Sequence, residues 1–159
     1  MRSEKCFKDY DIRNEVTRTI KSYGININEQ GSDISQLIIM KEHIYNAIMF
    51  DNMLTDRTAL DGIVYTTYLY NTEKVSPPTF IECYRMFEKL IPMYDYIFYI
   101  KPEFELEDDG VRSADIEWQD QIATMFERYI ETEKVPVVNV SGSVRERVNT
   151  ILKTIGEIK

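Results

Sequence analysis

Apolar and polar positions along the chain follow two periods that take turns. Residues 53–56 start with Met53 and Leu54 and end on Asp56, with Arg57 next; helical spacing then runs through Leu60, Val64, Tyr68 and Leu69. A short extended segment, a polar junction and a helix form a βα unit, the building block of α/β domains. A weak alternation over 9–14, with Tyr10 and Ile12 on one face, predicts a strand at about 8–13. Helical spacing from Glu15 groups Val16, Ile20 and Tyr23, and Gly24 is the expected stop. Ser32 or Asp33 caps a helix predicted over about 34–50, whose stripe is Leu37, Ile38, Met40, Ile44, Ala47 and Ile48.

Beyond residue 70 the alternation continues. Pro77 and Pro78 suit a first helical turn, where a missing N–H costs nothing. The helix they open is predicted to reach Leu90 with Phe80, Cys83, Tyr84 and Phe87 inward, and Pro92 ends it. Tyr96 to Ile100 is aromatic and β-branched with little alternation, the pattern of a strand covered on both faces. A helix is predicted over 116–130 and a strand over 136–140. A last helix follows, with Val144, Val148, Ile151, Leu152 and Ile155 inside. Strands separated by helices over this length predict a single α/β domain spanning 1–159, a three-layer sandwich around a mostly parallel sheet.

Composition narrows the function classes. The 159 residues are enough for a real core, and the net charge of −8 argues against non-specific binding to nucleic acid or to an anionic membrane. Any anion site must be a local basic pocket. His43 is the single histidine, which excludes a histidine-rich metal centre; it lies seven residues from Gln36 on one helix, so the two project from similar sides, and a packing role is expected for it. Cys6 and Cys83 form no paired motif and read as free thiols. No apolar run reaches membrane-spanning length and no signal-peptide pattern opens the sequence, so a cytoplasmic protein is expected.

Candidate chemistry gathers at strand ends. An acid at the carboxyl end of a parallel strand faces the crevice where open α/β sheets bind ligands. Asp56 there suits Mg²⁺ binding or proton acceptance, and Arg57 suits a phosphate through its planar fork. The plain alternative is an N-cap aspartate beside a surface arginine. The acidic segment over 103–115, with Gly110 and Arg112, follows a buried strand, a common place for functional loops.

Glu15-Val16-Thr17-Arg18, then Gln36 on a long helix, then Thr55-Asp56-Arg57-Thr58-Ala59-Leu60-Asp61-Gly62-Ile63-Val64-Tyr65, resembles the AAA-type P-loop kinases. The nearest group is the nicotinamide-riboside-kinase-like and thymidylate-kinase-like proteins, many encoded by bacteriophages. Residues 101–112 are similar to that family's entry into the LID, giving a LID-like segment at about 102–115. The resemblance spans about residues 8–155 and implies a nucleoside or nucleotide acceptor with ATP and Mg²⁺. Asp56 would then be the catalytic acid and metal ligand, Arg57 would hold a phosphate, and Arg112 would close over the triphosphate. Glu15, Arg18, Gln36 and Asp61 would line the acceptor pocket, with an ordinary helix-start ion pair the alternative for Glu15 and Arg18. Ser141, Gly142 and Ser143 would lie near the adenine, although Ser141-Gly142-Ser143 also reads as a plain strand-to-helix turn.

The sequence departs from the family at its first motif. Gly24, Gly31, Gly62, Gly110, Gly142 and Gly156 are the six glycines, none followed by lysine, so there is no Gly-x-x-x-x-Gly-Lys-Ser/Thr loop. The expected fold is therefore P-loop kinase-like without the first strand, the phosphate loop and most of the first helix. The expected function is a kinase-like protein inactive alone, as a fragment or half of a split enzyme. Its alternatives are a catalytically dead nucleotide-binding or interaction module, or a phage accessory protein. With the central strand missing, the strands at 53–56 and 96–100 are expected to close on each other or to recruit a second copy as a homodimer.

Overall fold

A computed structural model describes residues 7, 9–13, 16–101 and 116–156. The elements alternate as the sequence pattern predicts: β1 (Asp11–Arg13), α1 (Val16–Ser22), α2 (Asp33–Met49), β2 (Met53–Thr55), α3 (Ala59–Asn71), α4 (Pro77–Leu90), β3 (Ile97–Ile100), α5 (Ile116–Thr132), β4 (Val137–Val140) and α6 (Val144–Thr154). Local chemistry sets the helix starts. Ser32 caps α2, Thr58 caps α3 and Ser143 caps α6, each through a reciprocal capping box with the residue three positions on. Two prolines occupy the first turn of α4, and Gly24, at φ 77, follows α1.

Helix α3 is the axis of the core. Its Ala59, Leu60, Ile63 and Val64 are buried against Cys83, Phe87 and Leu90 of α4, Trp118 and Ile122 of α5, and Ile97 of β3. Full burial of a side chain of this size contributes about 1.5–3 kcal/mol, so this cluster is the main source of stability. Val16, Ile20, Ile27 and Ile39 form a second, smaller cluster under α1 and α2. Gly62 lets α2 approach α3, because a Cβ at that position would run into the thioether of fully buried Met40. Burial pushes the Cys83 thiol up to about 11, which leaves this free cysteine unreactive near neutral pH.

Among the described residues all strand pairing is parallel, and it occurs in two separate pairs. Ile12 stands opposite Leu54 in the first pair, and Phe98 stands opposite Val138 in the second. The expected closure of the two middle strands does not occur: among the described residues β2 and β3 are not neighbours in a sheet. Instead both border one cavity of about 1470 Å³. The last helix packs on β4, and α3 and α5 pack on each other.

Some expected inward faces are turned. Ile48 of α2 is 66% exposed, while Ser35, Gln36, Ile39, Met40, His43 and Asn46 are buried, because α2 directs a partly polar face at α3. Tyr23, Ile12 and Val144 are also exposed. In β3 only Ile97 is fully buried and Ile100 is exposed, since the strand borders the open cavity rather than lying between two layers along its whole length.

Gly62→Ala tests the α2–α3 approach. Helix propensity alone would favour alanine by about 1 kcal/mol. Overpacking costs about 1–3 kcal/mol, so we expect a net loss of up to about 2 kcal/mol, seen as a lower urea midpoint with unchanged slope. A raised midpoint would show that Met40 swings aside freely.

Candidate functional site

The candidate site begins where β2 ends. Asp56 donates its N–H to the Arg13 carbonyl (3.0 Å), the last bond of the ladder, and Arg57 then adopts φ 75. A left-handed backbone at a bulky residue costs on the order of 1–3 kcal/mol and persists where surrounding contacts impose it. Here the Thr55 hydroxyl donates to the Arg57 carbonyl (3.1 Å), and Thr58 caps α3 from the far side. The reversal swings the Arg57 guanidinium over the Tyr65 ring, 5.4 Å from its centroid.

Asp61 works on the same turn. Its carboxylate accepts from the Thr58 N–H (2.8 Å) and hydroxyl (3.3 Å), closing the capping box. Desolvation raises its pKa, opposed by the Arg57 charge and by the Thr58 hydrogen bonds. His43, buried on α2, is pushed down to about 4 by desolvation first and Arg57 second, so it is neutral at pH 7. Gln36, two turns away on the same helix and fully buried, accepts from the Thr66 hydroxyl at 3.0 Å.

These residues enclose two adjoining spaces. Thr17, Gln36, His43, Arg57, Asp61 and Tyr65 help line a small cavity of about 20 Å³. That is room for roughly one water molecule. Asp56, Arg57, Asp61 and Tyr65 also face the large cavity between β2 and β3. Arg57 and Asp61 therefore form a shared wall. Across it, the hydroxyl of half-buried Tyr94, raised to about 12 by desolvation, accepts from the Ala59 N–H at 3.2 Å.

The structure thus brings Gln36, Asp56, Arg57 and Asp61 to one region, with Asp56 exposed at its rim. Arg18 is exposed on α1 and lines neither cavity, although its neighbour Thr17 does. Ser141, Gly142 and Ser143 form the turn from β4 into α6, outside both linings. Glu15, Arg112 and the segment 102–115 lie outside the described residues. Thr17, Tyr65 and Tyr94 were missed as site residues. Tyr94 reaches α3 across 35 positions, a separation without any local signature.

The fit of a Mg²⁺–triphosphate can be judged from the donors present. The start of α6 holds a carboxylate already: Ser143 donates to Glu146 Oε2 through its N–H (2.8 Å) and hydroxyl (2.6 Å). At the start of α3, Asp61 and Tyr94 accept from the Thr58 and Ala59 N–H groups. Lys101 at the cavity rim is paired with Glu127. Among the described residues no group of three His, Cys, Asp or Glu side chains is placed to hold a metal. The described residues do not by themselves form a triphosphate cradle.

Parallel strands alternating with helices, and polar residues at the end of β2, define an α/β fold of the P-loop kinase type. The model of the AAA domain family matches residues 16–147, and the chain belongs to that family. The structure of deoxyadenosine kinase from M. mycoides, with its products dCMP and a flexible dCDP bound, superposes with a TM-score of 0.67. Identity is 14%, and the match covers 99% of this chain and 92% of the kinase chain. No curated protein sequence matches.

The buried histidine makes stability depend on pH. His43 takes up a proton near its ordinary 6.5 when unfolded but only near 4 when folded, so its contribution is complete above pH 6.5 and lost toward pH 4. Asp61, with a raised pKa, acts in the opposite sense. We expect His43→Gln to remove about 2–3 kcal/mol of this pH dependence, measured by urea unfolding across the window. An unchanged slope would mean His43 protonates without cost in the native state.

Proposed function

We propose that these residues form a nucleoside- or nucleotide-binding domain of kinase type that does not transfer phosphate unaided. The observation that carries this reading is Arg57, set at φ 75 on the wall between the small cavity and the large one. A left-handed arginine at the carboxyl end of a parallel strand is strain located where such folds bind ligands. In this reading Gln36 presents its amide to a base edge, Arg57 binds the acceptor phosphate, and Asp56 stands at the reacting end. Arg112 acts from the segment over 102–115, Glu15 and Arg18 border the acceptor, and Ser141 to Ser143 lie near an adenine.

The small cavity, at about 20 Å³, is well below the roughly 300–1,000 Å³ of ligand sites, so an acceptor must widen it. The seven-residue α1, which contributes Val16 and Thr17 to the lining, is the shortest of the α-helices that form its wall. A second reading, a binding module without catalysis, draws on the same lack of a cradle for a triphosphate and shares the acceptor pocket.

Calorimetry separates these assignments. A deoxynucleoside monophosphate should bind to the wild type, and Arg57→Ala should weaken it by about 2–3 kcal/mol while sparing the unphosphorylated nucleoside. Equal monophosphate affinities would remove Arg57 from the site. With ATP and Mg²⁺ present, the 159 residues should show no turnover approaching about 1 s⁻¹, the lower end of kinase rates. Turnover at such rates would place a functioning cradle somewhere in the chain.

A further inference from the structure

We infer that Asn28 is a further ligand-contacting residue, whose side-chain amide meets the hydroxyl-bearing sugar of a nucleotide that spans the small and the large cavity. The inference rests on the nucleotide reading above and adds to it a residue from outside the stretch between β2 and α3.

The two linings place Asn28. Among the described residues four line both cavities: Asn28, Arg57, Asp61 and Tyr65. Arg57, Asp61 and Tyr65 belong to one continuous stretch, the turn into α3 and the start of that helix. Asn28 comes from elsewhere, a 3-10 turn over Asn28–Gln30 that joins α1 to α2. A molecule that reaches from one cavity into the other therefore passes Asn28 as well as Arg57.

The turn is fixed from several sides. Ile27, just before it, is buried in the small cluster under α1 and α2. Gly31 closes it by donating its N–H to the Asn28 carbonyl (3.0 Å). A Cβ at Gly31 would stand 2.6 Å from a methyl of Leu69 and 3.0 Å from the Gln36 amide nitrogen, so the bare glycine lets the turn settle against Gln36. Lys74, beyond the end of α3, donates to the Glu29 carbonyl. Asn28 itself adopts φ 54. Asparagine and glycine both tolerate that backbone, so conformation alone would be served by either. The amide is what asparagine adds.

Ligand chemistry then follows from position. In the nucleotide reading Gln36 takes the base edge from the small cavity, and Arg57 takes the phosphate. The part of a nucleotide that joins base to phosphate is a pentose, neutral and carrying hydroxyls. An amide both accepts and donates hydrogen bonds, which suits a hydroxyl. It also brings no negative charge beside Arg57 to compete with the phosphate.

Calorimetry on the whole chain tests the assignment with the common deoxynucleoside monophosphates and their 2′,3′-dideoxy counterparts, which lack the free sugar hydroxyl. The wild type should bind the deoxy form about three- to tenfold more tightly, the worth of one hydrogen bond. Asn28→Gly, which relieves rather than strains the turn, should weaken the deoxy form to the level of the dideoxy form and leave the dideoxy form unchanged. An equal loss for both forms would make Asn28 a purely structural residue and would overturn the assignment. So would a wild type without preference, or a preference that survives in Asn28→Gly. In those three cases monophosphate binding that still depends on Arg57 keeps the nucleotide reading intact. A wild type that binds none of the monophosphates would overturn both.

Discussion

The left-handed turn at Arg57 is the constraint on which the candidate site depends. A strand and a helix that follow each other within a few residues need an abrupt change of direction, and φ 75 supplies it without a glycine. Because the chain reverses there, Thr58 reaches the cap of α3 and Asp61 turns in to meet it. The guanidinium then has aromatic support from Tyr65 and lies close enough to depress the basicity of His43. One backbone angle therefore sets the relative positions of an arginine, a carboxylate and a buried imidazole that come from two helices and a loop.

The second organising feature is a division within the sheet. The core under α3, α4 and α5 is continuous, yet the strands above it are held as two pairs. A continuous core and a divided sheet are compatible because helix packing depends on apolar contact, whereas strand pairing depends on reach across about 4.8 Å. The helices hold β2 and β3 in a geometry that their own hydrogen bonds do not impose. Membership in the AAA domain family agrees with the order of these elements.

Much of this was legible in the residues because it is local. Capping serines and threonines, the proline pair opening α4 and the β-branched run at 97–100 act within a few positions, and each element formed near its expected place. Gln36 and His43 were expected to project together, and both are buried beside the small cavity. The rotation of α2 was not legible: Ile48 and Ile34 outweigh Ser35 and Asn46 on any apolar count, but α3 offers a polar partner, Thr66, to the opposite face. Likewise nothing in Val144 or Ile12 announces exposure. Burial there is decided by what the neighbouring layer supplies, and that is settled across the fold.

Trp118 gives the molecule an optical property. It is the one tryptophan in the chain, and its ring lies 5.7 Å from that of Tyr65 and 6.1 Å from that of Tyr68 while it borders the large cavity. Excitation of the surrounding tyrosines therefore drains into an indole whose emission colour reports the polarity of that space. Filling the cavity with apolar groups shifts the emission to the blue, and admitting water shifts it to the red. The protein carries a native fluorophore at the interface between its two strand pairs, with no label required.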